Sequence, residues 1–250
     1  MQDSRDYIKV SEGLTQIRLG IIGFPGTGKT TGALTFPNPI VIDYDRKCPP
    51  GVRTIPFWDP KLEAKFGGPR HGLREFLKTE GPKFGPEETL ILDSWTMVVN
   101  QFEKFLEDNP HLYLTKKNEV DGFKMGSDRL SFAYEIIHMI KALSCNVIII
   151  MHEQIERDDR GQITGRVKPL MRGQFADQMA AHLTDFFRAV ILVDNQKKPQ
   201  YLWQLVPDNV FAPITSFIPR SPYIPQKYEE YLKQKNFAPS IQQGANSQKP

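Results

Sequence analysis

A glycine-rich segment at residues 23–30, GFPGTGKT, limits the folds open to this chain more than any other stretch. It follows an apolar run at residues 17–22 and precedes sequence that permits a helix, which is the context of a phosphate-binding loop. The glycines let successive backbone N–H groups point at one phosphate cluster, Lys29 adds charge over the β- and γ-phosphates, and Thr30 offers a hydroxyl to Mg²⁺. The segment predicts a nucleotide site. Its nucleotide-binding residues are predicted to be Gly23, Pro25, Gly26, Thr27, Gly28, Lys29, Thr30 and Thr31.

The length and composition suit one large α/β domain. The 250 residues are 40% hydrophobic and 24% charged, which leaves ample material for a core. The net charge of +3 is too small to indicate nucleic-acid binding from totals alone. Cys48 and Cys145 lie far apart in the sequence, so we expect free thiols in a reducing compartment. No apolar segment approaches the roughly 18–20 residues that cross a bilayer, and the first residues lack a signal-peptide core, so a soluble cytoplasmic protein without a membrane partner is expected.

Further apolar runs predict a mostly parallel central sheet flanked by helices. The runs that begin at residues 40, 89 and 147 show no alternation and end in polar residues, which is typical of strands buried on both faces. Residues 188–194 and 201–207 predict two antiparallel strands on the C-terminal side. The predicted helices cover about 71–79, 95–106, 128–143, 174–184 and 226–234, the third with Ser127 as its N-cap.

Asp93 closes the apolar run that begins at residue 89 and is predicted to be the Walker B acid. A carboxylate that leaves the sheet beside the phosphate-binding loop can hold Mg²⁺, directly or through water, together with the Thr30 hydroxyl. The alternative is an aspartate that only caps the following helix at Ser94. We favour the metal role because the loop at residues 23–30 requires such an acid.

Two further polar residues at strand ends are candidates for the chemistry. A group must orient or deprotonate the attacking water, and of the acids near strand ends, which are Asp43, Asp45, Asp59 and Glu63, we favour Asp45. His152 ends the strand that begins at residue 147 and would face the γ-phosphate, whose presence an imidazole can sense. The alternative for His152 is a purely structural histidine.

At residues 23–30, 42–45, 92–94 and 150–154 the chain resembles the RecA-like AAA-family P-loop ATPases of phages, including single-strand-annealing recombinases. The resemblance covers about residues 15–220. It implies a RecA-like core, hydrolysis of ATP with Mg²⁺, and action on single-stranded DNA in recombination, annealing or replication. It also implies a homo-oligomeric ring or filament, a single-strand-binding protein as a further partner, and, for a phage protein, the cytoplasm of the bacterial host.

The loop after the His152 strand is where RecA-like proteins contact single-stranded DNA. Here residues 155–173 predict a protruding β-hairpin, because polar and apolar positions alternate around two turn sequences. Five positive and two negative residues between 157 and 172 leave an excess of +3, which can neutralise phosphates without sequence readout. An ordinary solvated hairpin is the alternative. The predicted DNA-binding residues are Arg157, Arg160, Arg166, Lys168 and Arg172.

Arg220 is predicted to act on the nucleotide of a neighbouring subunit. It follows the last predicted strands, where RecA-like proteins place basic residues that reach across an interface. A cation supplied in trans can accelerate phosphoryl transfer by orders of magnitude. The sequence shows no other basic residue near the strand ends for the far side of the γ-phosphate, although Arg220 is equally consistent with an ordinary surface residue.

Two other functions stay open at this point. A phosphotransferase of a small metabolite would need an arginine-bearing lid, whereas the basic excursion here is a hairpin. A nucleotide-dependent interaction protein without DNA binding would not need Lys29, Thr30 and Asp93 all to be intact. We expect a lead-in at residues 1–14, an ATPase domain at 15–220 and a partly disordered tail at 221–250.

Overall fold

The computed structural model describes residues 16–171 and 175–235, and the predicted lead-in, Arg172 and the end of the tail lie outside this part of the chain. In this part of the chain, the strands form one sheet of nine strands. The strands are β1 (Arg18–Gly23), β2 (Pro39–Asp43), β3 (Thr54–Pro56), β4 (Thr89–Asp93), β5 (Asn146–Arg157), β6 (Ile163–Pro169), β7 (Asp185–Val193), β8 (Pro199–Gln204) and β9 (Tyr223–Pro225).

The sheet runs in the order β3, β2, β4, β5, β1, β7, β8, β9, and β6 pairs with β5 outside this row. The pairings from β3 to β7 are parallel. The β7–β8, β8–β9 and β5–β6 pairings are antiparallel. The predicted fold class is therefore confirmed: a mostly parallel sheet with antiparallel strands on the C-terminal side.

Helices cover both faces of this sheet. The α-helices of the described residues are α1 (Lys29–Ala33), α2 (Pro60–Lys65), α3 (Gly68–Thr79), α4 (Trp95–Asp108), α5 (Gly122–Ala142), α6 (Phe175–Gln178) and α7 (Tyr228–Lys235). None of these helices combines the length and the apolar character that a membrane span requires.

The buried side chains form one cluster on each face of the sheet. In β1, Ile22 joins the cluster beneath α3, α4 and α5, whereas Leu19 and Ile21 join the other cluster with Trp203 and Tyr231. This alternation follows from the two-residue period of a strand, and the continuous apolar runs follow from burial on both faces.

Strand register brings the polar residues at the strand ends to one edge. Asp43 of β2 is paired with Asp93 of β4, and Gly23 of β1 is paired with His152 of β5. Because β5 lies between β1 and β4, His152 is placed between the phosphate-binding loop and Asp93. The carboxyl edge of a parallel sheet is where ligands bind.

Two elements differ from their predicted bounds. Helix α5 begins at Gly122 instead of residue 128, because Asp121 accepts a hydrogen bond from the Lys124 N–H at 3.0 Å and caps the helix six residues before Ser127. Strand β5 continues to Arg157, because its second half pairs with β6. Antiparallel pairing with β6 thus carries the strand past His152 into the protruding hairpin.

The segment predicted as a tail after residue 220 also differs. Strand β9 pairs with β8, and Tyr231 of α7 is completely buried against Phe36, Phe187 and Phe217. The sequence predicted a partly disordered tail with one helix at about 226–234; the helix is present as α7, and the aromatic residues of the segment pack into the core. Residues 223–235 therefore belong to the same domain as the phosphate-binding loop.

Candidate nucleotide-binding site

The phosphate-binding loop joins β1 to α1. Gly26 and Gly28 have φ angles of 80° and 82°, in the left-handed region that favours glycine. The ammonium group of Lys29 donates to the carbonyl oxygens of Gly23 and Phe24, both at 2.8 Å. Burial lowers the pKa of Lys29, while the neighbouring Asp93 carboxylate acts in the opposite direction. The loop thus holds its own cation until a phosphate replaces the two carbonyl partners.

Thr30 and Asp93 meet directly, because the Thr30 hydroxyl donates to Asp93 Oδ2 at 2.6 Å. Burial raises the pKa of Asp93; the bond from Thr30 lowers it, and the Asp45 and Asp43 carboxylates raise it further. A cation bound here would offset both the cost of keeping the buried Asp93 carboxylate ionised and the repulsion among the carboxylates.

A hydroxyl and a carboxylate at this distance fit Mg²⁺, which keeps several waters and binds through one or two carboxylates plus substrate phosphates. In residues 16–171 and 175–235, no group of three or more His, Cys, Asp or Glu residues is arranged to hold a metal ion by itself. Thr30 and Asp93 would therefore hold the ion together with nucleotide oxygens, where it would supply charge to the phosphates.

The four acids at and after the end of β2 have separate roles. Asp43 is buried, and its Oδ1 accepts from the N–H groups of Asp45 and Arg46 at 3.0 and 2.8 Å, so it fixes the turn. Asp45 lines the cleft instead, and its buried Oδ1 has no hydrogen-bond partner among the described residues. Asp59 caps α2 and Glu63 lies within it, and neither lines the cleft. Of the four acids considered, Asp45 is the one in the cleft.

His152 lies beside Asp45, with Nε2 3.7 Å from Asp45 Oδ2. Its backbone N–H donates to Thr96 Oγ1 at 3.0 Å, and its buried Nδ1 lacks a hydrogen-bond partner in the described part of the chain. The neighbouring imidazole holds the pKa of Asp45 below its ordinary value, against the effect of burial. The two side chains form a pair facing the cleft, and the sensor role of His152 stays a prediction.

Sequence reasoning missed an ion pair beside this edge. Arg188 of β7 donates from Nε and Nη2 to the two carboxylate oxygens of Glu153 at 2.9 and 2.8 Å. The Glu153 side chain is 1% exposed, and its hydrogen bond raises the pKa of Arg188. No local signal relates two residues 35 positions apart. The pair ties β5 to β7 across β1, directly after His152.

The cleft has a volume of about 710 Å³, and one wall comes from the C-terminal strands. Sequence analysis did not place this wall at the site, because the strand at 201–207 was not linked to the loop and the residues after 220 were assigned to a tail. Its residues are Pro199, Gln200, Tyr201, Pro225, Gln226 and Lys227.

The basic residue found in the cleft differs from the one predicted to act on the nucleotide. Lys47 lines the cleft, with Nζ 3.8 Å from Asp45 Oδ2, so a basic residue besides Lys29 lies near the strand ends, contrary to the prediction. Arg220 lies elsewhere: its N–H donates to Gln234 Oε1 at 3.0 Å, next to Lys235, which pairs with Asp185 at the start of β7. Arg220 is thus at the opposite end of the strands from its own phosphate-binding loop.

The basic hairpin is formed by β5 and β6, as predicted. Arg157, Arg160 and Arg166 are exposed, and Arg157 Nη1 donates to the Gly161 carbonyl oxygen at 2.9 Å. Lys168 is half-buried, with Nζ 3.8 Å from Glu156 Oε1. The hairpin therefore presents arginines at its tip, while the charge of Lys168 is partly balanced.

This sheet order, the phosphate-binding loop and the acid beside it are those of a P-loop ATPase. Residues 15–211 match the family described as AAA domain, and the chain belongs to that family. No curated protein sequence matches it. Among solved structures it is similar to a prototypical ATPase from the type III secretion system of pathogenic bacteria, with 12% identity and a TM-score of 0.42. That match covers 72% of this chain and 51% of the other, so the chain spans about half the length of that ATPase.

Proposed function

We propose that this P-loop ATPase acts on single-stranded DNA in recombination, annealing or replication, as a homo-oligomer. The observation that carries the proposal is the continuity of β5. Met151 and His152 lie at the nucleotide edge, and the same strand continues to Arg157 in the basic hairpin. A change at the γ-phosphate would reach the hairpin through one hydrogen-bonded strand, which is the coupling that a DNA-dependent ATPase needs.

The charges on the hairpin suit a phosphate backbone. Exposed arginines can each neutralise a phosphate and release a counterion, which gives affinity without sequence readout. The apolar side chains of Ile155 and Ile163 are also exposed there, at 46% and 59%. Such side chains beside cations favour contact with the accessible bases of a single strand.

We expect replacement of Arg160, Arg166 and Lys168 by glutamine to weaken binding of single-stranded oligonucleotides about equally for all sequences. The slope of log affinity against log salt should flatten by up to about 0.7 for each lost phosphate contact. Binding is measured by fluorescence anisotropy at several salt concentrations. Glutamine at Lys78, Lys116 and Lys117, which are exposed and outside the hairpin, is the control for equal loss of charge. Unchanged affinity and slope in the hairpin variant would remove the DNA site from β5 and β6.

The oligomeric part of the proposal concerns Arg220. In a head-to-tail assembly the two ends of the strands face each other across the interface, so Arg220 of one subunit can reach the nucleotide of the next. We expect Arg220→Ala to bind ATP but lose most turnover, and turnover of the parent to rise more than linearly with protein concentration. Mixing Arg220→Ala with Lys29→Ala should restore part of the activity.

The matched comparison for Arg220 is Lys47→Ala, because Lys47 lies in the cleft of its own chain. An Arg220→Ala variant with parental turnover, next to a Lys47→Ala variant that loses it, would assign the second cation to Lys47. A lack of rescue in mixtures that co-assemble would also exclude a role in trans.

A further inference from the structure

Gln226, directly after strand β9, contacts the phosphate-binding loop from the outside. The amide Nε2 of Gln226 donates to the carbonyl oxygen of Thr27 at 2.9 Å and to that of Leu202 at 3.0 Å. Gln226 is 7% exposed, and its bond to Thr27 is shielded from water. A buried backbone carbonyl needs a donor, and for Thr27 that donor comes from a residue 199 positions away.

The loop is shaped to receive this side chain. A Cβ atom on Gly28 would lie 2.9 Å from Gln226 Oε1, and a Cβ atom on Gly32 would lie 2.9 Å from Gln226 Cβ and 3.0 Å from Trp203 Cζ2. Gly32 is not part of the phosphate-binding motif, and glycine within a helix costs stability relative to alanine. The absence of a side chain at Gly32 therefore makes room for Gln226.

The position of Gln226 is fixed from the C-terminal side. The hydroxyl of the completely buried Tyr231 donates to Asp185 Oδ2 at 2.6 Å, and Lys235 Nζ lies 3.6 Å from the same oxygen. The N–H of Tyr228 donates to Thr35 Oγ1 at 2.8 Å, just after α1. Helix α7 thus anchors the segment that carries Gln226 to β7 and to the residues that follow α1.

We propose that Gln226 is a positioning residue for nucleotide binding. Its amide holds the Thr27 carbonyl outward, so that the N–H groups of the loop stay turned toward the phosphates. Lys29 also bonds loop carbonyls, but its ammonium is the group that the phosphates attract, so those bonds compete with the ligand. The bond from Gln226 lies outside the loop and persists when nucleotide binds. This role rests on the ATPase assignment and not on the proposed action on DNA.

Gln226→Leu and Gln226→Glu test this role in two ways, by removing the hydrogen-bond donor and by making it depend on protonation. Leucine removes the donor, and we expect about tenfold weaker binding of Mg·ATP by calorimetry, in line with the loss of a hydrogen bond to a buried group. An ionised glutamate cannot donate and faces two carbonyl oxygens, whereas a protonated one can donate once. Burial favours the protonated form, so Gln226→Glu should bind ATP weakly near about pH 8 and recover part of the affinity near about pH 5.5. The parent should lack that gain.

Gln234→Leu is the matched control. Gln234 is a buried glutamine of the same C-terminal segment, 8% exposed, but it bonds the Arg220 N–H away from the cleft. Both leucine variants should unfold at lower temperature than the parent, and only Gln226→Leu should weaken ATP binding. Gly32→Ala, which keeps Gln226 but displaces it, should also weaken ATP binding, and it replaces Gln226→Leu if that variant does not fold. Parental ATP affinity in the folded Gln226 variants, or in Gly32→Ala, would overturn the proposal.

Discussion

Lys29→Ala is expected to lower ATP turnover by about 100-fold or more. The ammonium of Lys29 is the buried cation of the loop, and removal of one preorganised donor to developing charge typically lowers the rate by about two to three orders of magnitude. In the free protein its bonds to the Gly23 and Phe24 carbonyl oxygens are also lost, so Lys29 contributes to the structure of the empty loop.

The control for Lys29→Ala is Lys61→Ala, an exposed lysine on α2 outside the cleft. Phosphate release gives the turnover of both variants, and circular dichroism gives their unfolding temperatures. Lys29→Ala should stay folded while Lys61→Ala keeps the parental rate. Parental turnover in a folded Lys29→Ala variant would show that the nucleotide site is not at this loop.

Asp93→Asn is expected to reduce hydrolysis about 100-fold while reducing nucleotide binding much less. Asparagine keeps an oxygen that can accept the Thr30 hydroxyl, but it removes the charge that holds Mg²⁺ beside the phosphates. Single-turnover hydrolysis and calorimetric ATP titration with Mg²⁺ separate the two effects. Hydrolysis at the parental rate would exclude Asp93 as the metal-binding acid.

The same variant should be more stable than the parent when no nucleotide is bound. Burial raises the pKa of Asp93 above its ordinary value of 3.8, so the folded state takes up a proton more readily than the unfolded state. The free energy of unfolding therefore falls as pH rises from about 4 through the folded pKa, and at neutral pH the ionised group costs stability. Asparagine removes that cost. The unfolding temperature of Asp93→Asn should exceed that of the parent near about pH 8, with a smaller difference near about pH 4. A lower unfolding temperature at the higher pH would contradict the account of Asp93.

The sequence predicted the parts of the site whose signal is local. The motif at residues 23–30 specifies its own backbone, and a continuous apolar run that ends in an acid specifies where Asp45 and Asp93 leave the sheet. Because parallel strands share one carboxyl edge, these separate signals converge on one cleft. The hairpin that follows His152 was predictable for a similar reason, since alternation and turn sequences are local.

The remaining parts of the site depend on contacts that sequence spacing does not encode. Gln226 reaches Thr27 across 199 residues, and the composition around it resembles that of a solvated tail. Lys47 follows β2 on a turn that the buried Asp43 fixes, so its place in the cleft depends on that turn. The start of α5 was missed because Gly122 and Gly126 disfavour a helix, and the cap from Asp121 outweighs that propensity.

The most direct test of the central claim is ATP turnover by the full chain with and without single-stranded DNA. We expect hydrolysis by the parent to rise severalfold with single-stranded DNA, and not with the same length of duplex. The hairpin variant at Arg160, Arg166 and Lys168 should keep the rate without DNA and lose the increase. Hydrolysis that single-stranded DNA leaves unchanged, in both the parent and the hairpin variant, would contradict a DNA-dependent ATPase and would favour a nucleotide-driven protein that acts on another partner.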